Sequence, residues 1–405
     1  MFFYYILLGF ILDNFLGKYN FTFQEKRILK EIDNDLKMWG EGSLKDIWDN
    51  SLEEKLQGKQ LKKALLSHVK KIYEELKNSP TNYDSFNNKI KPHKIKIEER
   101  EKDSLGFGAC PVASEKTRCC NLLTLDAVES CGFDCSYCSI QSFYNEGKIT
   151  FDKDFKSKLD SIELNPNELY HIGTGQSSDS LMWGNRYGVL DALVEFAKKN
   201  PNVLLEFKTK SDNISYFLEH NNLPKNLLFT WSLNPQIIID NEEHLTASLK
   251  DRLNSARKIA DLGLLVGFHF HPMIYIKDFE KEYGEIFSKL IEMFETHEVA
   301  LISFGTLTFI KPVIKKIRSR EFKSKILQIP FENASGKASY PLDIKREMFK
   351  FAYESLKPWH KEVYFYMCME DKSLWKDVFG YEYPTNESFE MDMKFSYFKK
   401  IKGLG

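Results

Sequence analysis

Three cysteines carry the clearest chemistry in the chain. Cys131, Cys135 and Cys138 stand as C-x3-C-x2-C inside S-C-G-F-D-C-S-Y-C-S-I-Q-S-F-Y, Ser130 to Tyr144, with the aromatic Tyr137 just before the third. Thiolates are the usual ligands of iron–sulfur clusters. Three of them so close together can hold three irons of a [4Fe-4S] cubane and leave the fourth iron open to a substrate. Zinc is the rival, but structural zinc sites take four ligands, commonly as two separated pairs, and no second pair follows at that spacing. A disulfide framework fits less well, because seven cysteines in 405 residues are neither dense nor even in number. The pattern favours a cluster with one open iron over zinc, with disulfides last.

A loop of this kind needs a rigid frame, and the chain from about Asn121 supplies one. Short apolar runs at Leu122–Val128, Leu169–Thr174, Val203–Phe207, Leu227–Leu233, Leu264–Phe270 and Val299–Phe309 read as strands. Helical patterns at Val189–Lys198, Ile214–Leu218, Leu249–Asp261 and Tyr283–Phe294 alternate with them. Six βα units in succession imply a parallel sheet with helical crossovers. The expected fold is α/β, a partial (βα)6 barrel of the TIM type over 113–315, with a helical N-terminal region over 1–112 and a mixed C-terminal extension over 316–405 that closes its open side. In such folds chemistry gathers where strands end and loops begin. The cysteine loop follows the first strand, as that rule asks. The polar run Gly173-Thr174-Gly175-Gln176-Ser177-Ser178-Asp179 follows the second. Lys210 ends the third, and Ser232 with Asn234 ends the fourth. Taken singly, each reads equally well as a turn residue or a solvated charge.

The remaining composition sets bounds. At 42% hydrophobic the chain can bury a large core, and a net charge of −1 announces no nucleic acid partner, though a local basic face stays open. Unevenly spaced cysteines point to a reducing compartment, the cytoplasm. Met1 to Leu12 (M-F-F-Y-Y-I-L-L-G-F-I-L) is too short to span a bilayer and has no basic residue before it. It reads as the docked start of a helix, with membrane attachment as the alternative. Apolar spacing through Leu29, Ile32 and Leu36, and through Leu61, Leu65, Val69 and Ile72, predicts amphipathic helices up to the loop at Asn78–Asn82. Lys89 to Lys102 reads as a solvated connector, and Gly106 and Gly108 as a loop. Lys311 to Lys325 holds seven basic residues and one acidic, a stripe that could meet phosphates or only face water. His269 and His271 share a face of the fifth strand and read as buried, hydrogen-bonded lining, with a metal pair as the weaker alternative. Cys110, Cys119, Cys120 and Cys368 read chiefly as small buried hydrophobes.

The cysteine loop resembles the signature loop of the radical S-adenosylmethionine (SAM) enzymes. Over roughly 120–330 the chain is similar to the spore photoproduct lyase family. The matching text is F-K-T-K-S-D-N, F-T-W-S-L-N-P, Ala260–Phe268 as A-x-x-G-x-x-x-G-F, H-P-M-I-Y and T-F-I-K-P. The resemblance implies a [4Fe-4S] cluster on Cys131, Cys135 and Cys138, with Tyr137 beside it. It places SAM against Ser178, Lys210 and Ser232, with Asn234 near. It further implies a 5′-deoxyadenosyl radical that takes hydrogen from a DNA thymine lesion, and a reductase or a flavodoxin- or ferredoxin-type electron donor. Two positions depart from the family. Gln176 stands where the family has a hydrogen-donating cysteine, and Ser139 where it has a tyrosine after the third cluster cysteine. Cys368 is a candidate replacement donor. These departures leave open a peptide or small metabolite as substrate, or a non-catalytic iron–sulfur protein on the same scaffold.

Overall fold

The alternating apolar runs build one eight-stranded sheet in the computed structural model, which describes residues 12–88, 90, 94–110, 114–144, 147–320 and 322–403. Its strands are β1 (Gly106–Ala109), β2 (Leu123–Asp126), β3 (Tyr170–Thr174), β4 (Val203–Thr209), β5 (Leu227–Ser232), β6 (Leu265–Met273), β7 (Val299–Thr306) and β8 (Tyr364–Met367). Neighbours in the chain are neighbours in the sheet, from β1 at one edge to β8 at the other. β2 through β8 run parallel, and β1 is antiparallel to β2. The edge strands do not pair with each other, so the sheet is open.

The helices include α1 (Phe23–Trp39), α2 (Gly58–Asn78), α3 (Val189–Lys199), α4 (Ser215–Glu219), α5 (Leu249–Asp261), α6 (Phe279–Met293), α7 (Lys311–Arg318), α8 (Leu342–Ser355) and α9 (Asn386–Gly403). Of these, α3 to α8 lie in the connections from β3 to β8. The period of two in β4 shows how the two faces are assigned. Val203, Leu205 and Phe207 are fully buried, and Phe207 packs on Phe217 of α4 and Phe229 of β5 at ring separations of 5.4 and 5.1 Å. Each such side chain contributes about 1.5–3 kcal/mol by burial. Glu206 and Lys208 alternate onto the inner face, which we call the lumen.

The gap between β1 and β8 is stitched by the segment 114–121. Thr117 bridges to Asp371, and Lys372 N–H donates to Lys116 O at 2.8 Å. Arg118 donates to Tyr383 O at 2.6 Å, Cys119 N–H to Asn386 Oδ1 at 3.1 Å, and Asn121 to Glu390 at 2.9 Å. From α9, Tyr397 is fully buried with its ring edge-on to His171, 5.4 Å away.

All six expected strands are present, and the sheet extends past 113–315 at both ends. Gly106 and Gly108 belong to β1 rather than to a loop; a Cβ on Gly106 would lie 2.7 Å from Asp126 O, so the strands approach closely only with glycine there. The apolar run before Cys368 is β8. The expected strand Val299–Phe309 is divided, since Thr308–Phe309 leaves the sheet to pair with Lys337–Ser339. The stretch Lys89 to Lys102 contains a strand, Lys96–Arg100, paired in parallel with Lys148–Asp152. Met1 to Ile11 of the apolar N-terminus lie outside the described residues. Among those described, no helix is long and apolar enough to cross a membrane.

The basic stripe is partly consumed inside the molecule. α7 buries Val313 and Ile317, and Arg318 makes a bidentate pair with buried Asp35 of α1 at 2.8 and 2.6 Å. Lys325 pairs with Glu41 and Arg320 with Asp134. Three of its seven basic residues thus fasten the chain to itself.

Candidate active site

The cysteine loop leaves β2 and is held by a second loop. Asp134–Cys135 pairs antiparallel with Glu243–His244, and Ser136 N–H donates to Glu242 O at 2.7 Å. Cys138 N–H returns to Cys135 O at 3.1 Å, which turns the third thiol back toward the second. Gly132 is required by contact, because a Cβ would sit 2.4 Å from Met182 Cε and 2.9 Å from the Trp183 ring. Cys131 Sγ lies 3.9 Å from Met182 Sδ.

The three thiols lie close enough to act on one another electrostatically. Burial pushes Cys131 up to about 12, with the Asp179 carboxylate adding to it, and raises Cys135 well above the ordinary range. Buried thiols of this kind become thiolates only beside a cation. Among the described residues no three His, Cys, Asp or Glu side chains converge on one point as a single ion would require. A cubane instead asks for thiolates at separate corners, and three thiols on one pinned loop, Cys135 buried and Cys131 and Cys138 partly so, fit that demand.

Behind the loop sits a buried ionic framework that the sequence did not advertise. Tyr137 OH donates to Glu243, Asn234 Nδ2 donates to Glu243 at 2.8 Å, and Arg252 pairs with Glu243 at 2.7 Å with both side chains fully buried. Burial pushes the Glu243 carboxyl up, but the Arg252 guanidinium and the Lys210 ammonium outweigh it and hold the group below its usual value. Arg252 is delivered by α5, whose first turn is capped by Ser248 accepting from Asp251 N–H at 3.1 Å. Its guanidinium also donates to Ser232 O at 2.8 Å, which fixes the end of β5.

Lys210 Nζ stands 5.8 Å from the centre of the Tyr137 ring, and its backbone N–H donates to Asp179 at 2.7 Å. Asp179 also accepts from Thr209 Oγ1 at 2.7 Å and from Leu181 and Met182 N–H at 3.0 and 2.9 Å. That carboxylate ties the loop after β3 to the end of β4. Ser178 is buried and accepts from Trp183 Nε1 at 3.3 Å. Ser232 is buried at the end of β5 and shares the inner face with Thr230. Asn234 is committed inside the protein, since its Oδ1 also accepts from Tyr283 OH at 2.8 Å. It acts on the site through Glu243. Gln176 is exposed on the loop after β3.

Deeper in the lumen, Glu206 accepts from His171 and His269 at 2.8 Å each and from Thr230 at 2.6 Å. Burial opposes its charge, yet the two histidines hold it well below the carboxylate range. His269 is pushed down to about 4 by burial and by Lys208, so the neutral ring donates to Glu206 and accepts from Ser303 Oγ at 2.5 Å. It is a hydrogen-bonded lining residue, as its position in the strand suggested. Glu206 carried one legible signal, a carboxylate inside the apolar run V-L-L-E-F. Glu243 and Arg252 carried none.

The spore photoproduct lyase family model matches residues 125–340, more than half of the chain. The chain belongs to the spore photoproduct lyase family. It is 26% identical over 234 residues to a spore photoproduct lyase of Clostridium acetobutylicum, a match covering 56% of this chain and 64% of that protein. One from a Geobacillus species is 26% identical over 205 residues, covering 48% and 59%. The matches therefore span less than two thirds of these family members. In fold, the chain is similar to a spore photoproduct lyase variant with bound AdoMet and dinucleoside spore photoproduct, with TM-score 0.56, 20% identity, and 67% and 82% of the two chains covered. A second lyase structure, complexed with the dinucleoside spore photoproduct, gives TM-score 0.55 over the same shares.

Proposed function

We propose that this member of the spore photoproduct lyase family is a radical SAM enzyme acting on a DNA thymine lesion or a related nucleobase. The sheet is read as a partial TIM-type barrel with its mouth at the strand ends. One observation supports the proposal: a pinned loop carries three thiols close enough to act on one another, with Lys210 acting on Cys135, at the end of the sheet where Ser178 follows its strand and Ser232 ends its own. Cys131, Cys135 and Cys138 would hold a [4Fe-4S] cluster, which when bound supplies the electron that cleaves SAM to a 5′-deoxyadenosyl radical.

The rest is the protein's own work. Lys210 offers an ammonium to the carboxylate of SAM, a charge-assisted hydrogen bond. Glu243 and Arg252 hold Tyr137 and the end of β5 in place, so the thiol loop and the SAM side chains keep one geometry. Segment 114–121 and α9 cover the open side of the sheet and exclude water from a radical formed in the lumen. A flavodoxin- or ferredoxin-type carrier would supply the electron, in a reducing compartment such as the cytoplasm.

A second reading, a radical SAM enzyme on a non-DNA substrate, is favoured by Gln176 and Ser139 at positions where the family differs. The test is anaerobic reconstitution with iron and sulfide, reduction, and assay of 5′-deoxyadenosine with and without DNA containing the spore photoproduct. Lesion-dependent formation supports the first reading; formation indifferent to the lesion supports the second. A Cys138→Ala protein that still cleaves SAM at the wild-type rate would sink both.

A further inference from the structure

The segment that follows the N-terminal helices, residues 81–88, buries three polar side chains. Thr81, Tyr83 and Asn88 are 2%, 3% and 8% exposed, although T-N-Y-D-S-F-N-N has the composition of a surface loop. Buried polar groups need hydrogen-bond partners. Thr81 anchors the segment: its N–H donates to Tyr275 O and its carbonyl accepts from Lys277 N–H, at 3.0 Å each, and its hydroxyl donates to Gln328 O at 3.0 Å. The other two reach the loop after β5. Tyr83 OH donates to Glu242 at 2.9 Å. Asn88 N–H donates to Asn241 Oδ1 at 3.1 Å, and Asn88 Nδ2 lies 3.3 Å from His244 Nε2.

These partners belong to the short strand that carries the cluster loop. Glu242 has no exposed surface. Its carboxylate also accepts from Ser324 Oγ at 2.6 Å and Lys325 N–H at 2.7 Å, while its carbonyl accepts from Ser136 N–H at 2.7 Å. Ser136 Oγ lies 3.5 Å from His244 Nε2. Glu243, the next residue, turns the other way to Tyr137, Asn234 and Arg252. One dipeptide thus has the N-terminal region on one side and the inner support of the thiols on the other. The joint is made of directional polar bonds, which fix position at little net gain in stability.

We propose that Tyr83 and Asn88 are positioning residues for the cluster loop: through Glu242 and His244, the N-terminal region sets where Cys135 and Cys138 stand relative to Lys210. The inference rests on the radical SAM reading above. It gives that site a support from a segment lying before residues 125–340, the part of the chain that the family model matches. A ligand held by the cysteine loop on one side and by Lys210 on the other is sensitive to the spacing between them. Slack at the Tyr83–Glu242 joint therefore shows as weaker use of SAM before it shows as lost stability.

Two measurements test this on the full chain. Tyr83→Phe keeps the ring and removes only the hydroxyl, and Asn88→Ala releases His244 from the same side. Tyr73→Phe is the control, because its hydroxyl donates to Asp35 at 2.7 Å within the N-terminal helices. The first measurement is hydrogen–deuterium exchange without cluster, read in the peptide spanning 134–138. Tyr83→Phe and Asn88→Ala should each speed exchange there about tenfold, the scale of one buried hydrogen bond, and Tyr73→Phe should not. Unchanged exchange in both variants overturns the proposal. The second is 5′-deoxyadenosine formation by reconstituted, reduced enzyme, normalised to bound iron. The KM for SAM should rise roughly three- to tenfold in Tyr83→Phe and stay at the wild-type value in Tyr73→Phe. A KM that does not move in Tyr83→Phe, or moves equally in the control, makes Tyr83 a stabilising contact only and overturns the positioning role. Wild type that cleaves no SAM ends the proposed function and this role with it, whereas normal cleavage with unchanged exchange ends this inference alone.

Discussion

Replacing Glu243 by Gln keeps the shape of the side chain and removes one charge. The side-chain oxygen of Gln can still accept from Tyr137 or Asn234, so the loop keeps part of its tether. What changes is the environment of Arg252, which has no exposed surface and would lose the one partner of opposite charge it has among the described residues, at 2.7 Å. Its bonds to Ala247 O, Ser232 O and Thr246 Oγ1 remain. Stranding one partner of a buried pair costs about 3–5 kcal/mol, and the surviving hydrogen bonds argue for the lower end. At about 1.4 kcal/mol per decade, about 3 kcal/mol shifts the unfolding equilibrium by roughly two orders of magnitude. Urea unfolding followed by tryptophan fluorescence would read this directly, and added salt should barely alter it, because the pair is screened by protein and not by ions. The double variant Glu243→Gln, Arg252→Met should recover much of the loss, as the stranded charge is gone. An Glu243→Gln protein within about 1 kcal/mol of wild type would refute the view that this pair holds the site together.

Three further outcomes follow from the same geometry. Lys210→Ala removes the charge-assisted hydrogen bond to SAM proposed for it, worth about 1.5–3 kcal/mol, so equilibrium binding should weaken roughly ten- to a hundredfold; unchanged affinity would return Lys210 to a solvated charge. Gly305→Ala places a Cβ 2.7 Å from the His271 ring and 3.1 Å from Cys368 O, and should destabilise the chain by about 1–3 kcal/mol in denaturant, because a backbone carbonyl cannot step aside. His269 titrates at about 4 in the fold against 6.5 unfolded, and Glu206 is likewise depressed. The unfolded chain therefore binds more protons, so stability present above pH 6.5 is lost as the pH falls through 4. Glu206→Gln should remove the carboxylate's own share of that loss, below pH 4.5, in acid titrations monitored by circular dichroism.

The fold was legible where one strand face is apolar and the crossover helix repeats at a clean period, as in β4 and α5. It was illegible where glycine replaced the usual strand formers, or where a strand had no neighbouring pattern to place it. Gly106-Phe107-Gly108-Ala109 pairs closely because Gly106 admits Asp126, and the strand Tyr364–Met367 read as part of an extension because no helix pattern announced its place beside β7. The thiols of the site were legible from spacing alone. Its supports were not, since Glu243 and Arg252 lie nine residues apart in unremarkable text and meet only after β5 and α5 have packed. Asn234 was placed at the right rim but turns its amide inward, a choice made by Tyr283 and Glu243, not by its neighbours in sequence.

The bridge from Thr117 to Asp371 sets an order of events during synthesis. Strands β2 to β7 can add to the growing sheet one after another as they emerge, each beside its predecessor in the chain. Segment 114–121 emerges early but has nothing to bind until Asp371, Tyr383 and Asn386 have left the ribosome, some 250 residues later. Closing a loop that long costs chain entropy that local contacts do not offset, which makes it the slow step. Until then the β1 edge, the lumen and two vicinal cysteines stand exposed in the nascent chain, so its hazard is intermolecular pairing and thiol oxidation. A chaperone or a reducing environment matters most for this protein in that interval.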